Sequence, residues 1–123
     1  MLTDLNEIRI FLRNLMSKYV PPLKARADTP ENFALYGTKE AMQGKQKVDG
    51  YYFGSVVTKP KDIRLYFFPI YTHPDQFSLS PELKKCLKGK SCFHFKKLSE
   101  PMQKEIANMI GTAFDIYLKD GLV

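Results

Sequence analysis

The chain has no tryptophan, only two cysteines and two histidines among its 123 residues. Each shortage excludes something. Two cysteines cannot build the disulfide framework of a small secreted domain. No stretch reaches the ~18–20 apolar residues that span a bilayer, so no membrane segment is expected. The first twenty residues carry Asp4, Glu7, Arg9 and Arg13 inside their apolar pattern, which a signal peptide's apolar stretch does not tolerate. A reducing, cytoplasmic setting is the expectation. There is no G-x-S-x-G, no H-E-x-x-H and no glycine-rich nucleotide loop. What is present is an ordinary globular composition, 44% hydrophobic and 26% charged, which excludes disorder and predicts one α+β domain over residues 1–123.

Charge is unevenly placed. The formal net charge is +6, from 19 Lys and Arg against 13 Asp and Glu. Residues 84–97, KKCLKGKSCFHFKK, hold six lysines (Lys84, Lys85, Lys88, Lys90, Lys96 and Lys97) and no acid. Taking those six from 19 leaves 13 basic residues against 13 acidic ones, so the whole excess belongs to this segment. A concentrated positive field captures anions, whereas a dispersed one mainly serves solubility. A solvated lysine face is the plain alternative.

Hydrophobic periodicity supplies the elements. Leu5, Ile8, Leu12, Leu15, Met16 and Tyr19 recur at helical spacing over 3–19, and Pro21-Pro22 ends that pattern. Residues 23–32 are polar and read as a loop or short turn, with a short strand from Phe33 to Tyr36 closed by Gly37. Residues 51–58 and 63–71 are aromatic and β-branched, and the KPKD turn between them predicts an antiparallel hairpin. Ile63, Leu65 and Phe67 would face one way and Tyr66, Phe68 and Ile70 the other. Both faces are therefore apolar, so the second is covered or meets a ligand or partner, and a homodimer is one way to meet it. Ser80, Pro81 and Gly89 punctuate a short helix, residues 91–96 form a strand, and a helix runs from Ser99 to Gly121. Met102, Ile106, Met109, Ile110, Ala113 and Tyr117 make its inward stripe. The predicted architecture is an antiparallel sheet of four to five strands, with long terminal helices packed on it and a short helix before the last strand.

Candidate motifs are few. Gly89-Lys90-Ser91 resembles the tail of a P-loop, but position 84 is lysine, and a helix precedes the loop where a strand is required. KGKSCFHF echoes an RNA-binding consensus at Lys88, Gly89 and Phe95, without the stacking aromatics at its third and fifth positions. Cys86 and Cys92 are separated by five residues, not the two to four of a structural zinc site. A thiol enzyme using Cys86 or Cys92 requires a lowered pKa. The aromatics of 51–53, 66–68 and Tyr71 read chiefly as core.

Tyr36-Gly37, the hairpin YYFGSVV…IRLYFFP, the turn Leu87-Lys88-Gly89-Lys90, a strand ending in Phe95 and a helix after Glu100-Pro101 resemble the YdhG-like family. These are small bacterial cytoplasmic domains of unknown function. The resemblance spans about residues 33–118 and implies an α+β fold with helices on an antiparallel sheet. One member is described as frataxin-like, which implies iron carriage for iron–sulfur cluster assembly as an alternative function. Iron is held through grouped carboxylates, whereas no two acids here are adjacent and only Asp4 and Glu7 lie close on the first helix. The leading expectation is a non-enzymatic binding domain whose six lysines engage an anionic small molecule, a nucleic acid or an acidic protein surface.

Overall fold

Asp4 starts the first helix by accepting the amide hydrogen of Glu7 (3.1 Å), one of the amides that a helix start leaves unpaired. In the computed structural model, which describes residues 1–123, helix α1 spans Leu5–Ser17 and buries Ile8, Leu12, Leu15 and Met16. Helix α4 (Glu100–Lys119) is capped by Ser99, which accepts from the Met102 amide (3.3 Å). Its buried residues are the expected six, Met102, Ile106, Met109, Ile110, Ala113 and Tyr117. α1 packs against α4 and the middle of the sheet. Side chains from both helices and the sheet form one continuous cluster of 23 buried residues.

The strands are β1 (Lys24–Asp28), β2 (Asn32–Tyr36), β3 (Ala41–Gln43), β4 (Gln46–Val48), β5 (Tyr52–Thr58), β6 (Ile63–Phe67), β7 (Leu87–Lys88) and β8 (Cys92–Phe95). Six of them make the main sheet in the order β1-β2-β5-β6-β8-β7, antiparallel throughout. β3 and β4 stand apart as a two-stranded hairpin. The sheet is thus wider than the four to five strands expected, and each difference has a cause. β1 lies where a polar loop was expected. It is an edge strand in which Ala25 and Ala27 are only half-buried while Lys24, Arg26 and Asp28 stay exposed. Such a strand shows no bulky β-formers. The strand expected over 63–71 stops at Phe67, because Pro69 cannot donate to a ladder and instead sits in the first turn of α2 (Phe68–Thr72).

The expected short helix is a single turn, α3 (Pro81–Lys84), with Ser80 accepting from the Leu83 amide (3.2 Å). Gly89 is not its stop. With φ +71 it makes the turn between β7 and β8, a conformation that favours glycine. A bulge interrupts β2 and β5: Leu35 pairs with Gly54 and Tyr36 with Tyr52, leaving Phe53 as the extra residue. Phe53 is fully buried, edge-on to Tyr117 at 5.1 Å. Gly54 has no room for a side chain, since a Cβ there would lie 2.5 Å from the carbonyl oxygen of Tyr66.

One side chain ties α3 to α4. The carboxylate of Glu105 accepts both the amide (2.8 Å) and the hydroxyl (2.6 Å) of Ser80. Hydrogen bonds to a charged group are worth about 1.5–3 kcal/mol, so Glu105→Ala should lower stability by about that amount in urea denaturation. An unchanged midpoint would show that Leu83 and the Glu82–Ser99 hydrogen bond hold α3 without it.

Candidate functional site

The turn of α3, the short β7 and the end of β8 place the lysines. Lys85 caps α3, Lys88 lies on β7, and Lys96 and Lys97 follow β8. These four, with Asp62, Cys86 and His94, line one cleft of about 400 Å³. Lys84 and Lys90 do not join them. They line a separate groove of about 520 Å³ with Ile70, Pro74, Phe77 and Leu87, and the Lys90 ammonium lies 5.4 Å from the Tyr71 ring centroid. Successive helix residues point about 100° apart, which parts Lys84 from Lys85. All six lysines are exposed, and none lies within ion-pair distance of a carboxylate.

Asp62 is the acid inside the cleft, and it is already engaged. Its side chain is only 10% exposed, accepts from Arg64 Nε (3.1 Å) and lies 3.7 Å from His94 Nδ1. A carboxylate so occupied offsets little of the lysines' field. Glu82 flanks the far side, where it accepts from the Ser99 hydroxyl near Lys85 and Lys97. Lys59, Lys61 and Arg64 line a neighbouring groove of about 310 Å³ that shares Asp62. This extension lies outside residues 84–97. Its sequence signal was the pair of lysines in the KPKD turn, which reads as ordinary turn chemistry.

The remaining candidates settle differently. Burial pushes both the Cys86 and Cys92 thiols up, the reverse of what nucleophilic catalysis needs. For Cys86 the nearby Lys88 pulls down against that effect, and Glu82 adds to it. No three His, Cys, Asp or Glu side chains come together in a group able to hold a metal ion. Asp4 caps α1 instead.

The aromatics expected in the core divide. Phe53 and Phe67 are fully buried beneath the helices. Tyr51, Tyr52, Tyr66 and Phe68 are half-buried, and Tyr71 is 50% exposed. The face opposite the helices carries Ala34, Ser55, Tyr66 and Cys92 in register across β2, β5, β6 and β8. Tyr52 hydrogen-bonds Ser55, and burial holds its phenol up to about 12. No helix is long and apolar enough to cross a membrane. No family model, curated protein or solved structure matches this chain.

Proposed function

We propose that the chain is a YdhG-like, non-enzymatic binding domain that captures an anionic partner in the cleft between α3, β7 and β8. One observation carries this reading: the ammonium groups of Lys85, Lys88, Lys96 and Lys97 surround one recess, free of ion pairs, while its single acid is held by Arg64. Like charges brought together repel, and that self-repulsion disfavours the compact state. An anion in the cleft relieves it, so binding releases what the fold has stored.

Burial raises Cys86, the thiol that lines the cleft, and Cys92 alike, the wrong way for a nucleophile, which favours binding over thiol catalysis. Calorimetric titration with inorganic tripolyphosphate tests the reading. Saturable binding that weakens as salt is added is expected, because exposed charges are screened within about a Debye length. Absence of saturable heat at low ionic strength would contradict it.

A further inference from the structure

We infer that the partner is a single-stranded nucleic acid, its bases stacked on the half-exposed aromatic strip opposite the helices and its phosphates drawn to the lysine cleft. This rests on the cleft reading and names the partner of that site. α1 and α4 occupy one face of the sheet. On the other, Tyr36 and Tyr52 are cross-strand partners with ring centroids 5.2 Å apart. Phe68 follows 5.8 Å beyond Tyr52, and Tyr71 a further 5.8 Å beyond Phe68. Four rings therefore make a continuous strip.

Cations stand at both of its ends. The Arg26 guanidinium lies 4.7 Å over the Tyr36 ring, and the Lys90 ammonium 5.4 Å from that of Tyr71. The strip reaches the cleft through Tyr66, which pairs with Ser55, the residue that Tyr52 hydrogen-bonds. Tyr66 pairs with Cys92 and Cys92 with Lys88, so two strand spacings, about 10 Å, separate Tyr66 from a cleft lysine. Arg64 pairs likewise with His94, which lines the cleft itself.

The occupant follows from combining these two chemistries. An acidic protein surface would use the lysines and leave the rings idle. An apolar surface, including a second copy of this chain, would cover the rings but gain nothing from Arg26, Lys90 and the cleft. A strand that alternates flat π systems with anions uses both. It must be single-stranded, because paired bases hide their faces within the stack. The echo of an RNA-binding consensus at Lys88, Gly89 and Phe95 lacked the stacking aromatics of its third and fifth positions; the rings of this strip come instead from β2, β5 and α2.

The chain has no tryptophan, so its own emission reports tyrosine directly. The experiment titrates the intact protein with an oligonucleotide of about ten nucleotides, within the range such platforms cover, and with an abasic strand of equal length. Tyrosine quenching by the oligonucleotide is expected, with binding about tenfold or more tighter than for the abasic strand. Tyr71→Leu should erase most of that difference and Tyr71→Phe should keep it; Tyr71 is half exposed, so both variants should fold, with melting curves as the check. Equal, lysine-dependent binding of the two strands would overturn the nucleic-acid inference while leaving the cleft reading standing. Failure of both strands and of tripolyphosphate would overturn both. A stable dimer dispersed by Tyr71→Leu, seen by sedimentation, would assign the face to a second copy and also overturn the inference.

Discussion

Tyr117→Ala is expected to cost the fold about 3–5 kcal/mol, the range for removing a large buried ring. Tyr117 is fully buried, edge-on to Phe53 at 5.1 Å and to Tyr51 at 5.8 Å. Its hydroxyl donates to the carbonyl oxygen of Tyr52, next to the bulge that turns Phe53 inward. Alanine leaves both a cavity and an orphaned carbonyl. Tyr117→Phe keeps the ring and removes only the donor, so about 1–3 kcal/mol should be lost. Urea denaturation separates the two, and equal midpoints for both variants would show that the ring contributes no packing. Domains hold about 5–15 kcal/mol in all, so the alanine variant should be near unfolding. The same burial has a pH signature. The Tyr52 phenol, ordinarily at 10.0, is held up to about 12 in the folded chain. A raised folded value means that the unfolded chain ionises first. The contribution of Tyr52 is therefore complete below about pH 10 and is lost as pH rises toward 12.

The largest expected effect on binding comes from Lys88→Glu combined with Lys97→Glu, about a hundredfold loss of tripolyphosphate affinity. Each reversal replaces an attraction by a repulsion. A unit-charge contact at ~4 Å is worth about 1 kcal/mol in water, so two reversals approach ~4 kcal/mol before screening. Screening cuts this to nearer 2–3 kcal/mol, and about 1.4 kcal/mol is a factor of ten. The control must change net charge equally. Lys104→Glu with Lys119→Glu does so from α4, on the opposite face of the sheet, and should alter affinity no more than about twofold. Lys84→Glu is a finer control, since Lys84 belongs to the basic segment but lines the other groove. Equal losses from the cleft and α4 pairs would mean that total charge, and not its convergence, governs capture.

The terminal helices were legible because their periodicity and caps agree. The stripe of α4 and the Ser99 cap were both readable, and the structure keeps them. β1 and the β3–β4 hairpin were not. An edge strand whose only apolar residues are two half-buried alanines, and a hairpin with only half-buried or exposed side chains, leave no bulky hydrophobic alternation to see. Gly89 was read as a helix stop because helix ends and β-turns both favour glycine at positive φ; only the pairing of Leu87 with Phe93 decides between them. The density of lysines in 84–97 was plain, but which of them meet was not. Strand alternation and the Gly89 turn send Lys88 and Lys90 to different grooves, and that depends on a two-residue strand. Lys59, Lys61 and Arg64 joined the surface through sheet pairing, which a count along the chain does not contain.

Titrating the abasic single strand over a series of salt concentrations probes most directly whether the four cleft lysines act on one polyanion together. Each phosphate neutralised on a single strand contributes about −0.7 to the slope of log K against log salt. Four contacts give a slope near −3. A slope between zero and about −1 would mean that the ammonium groups do not act as one site, and would contradict the account.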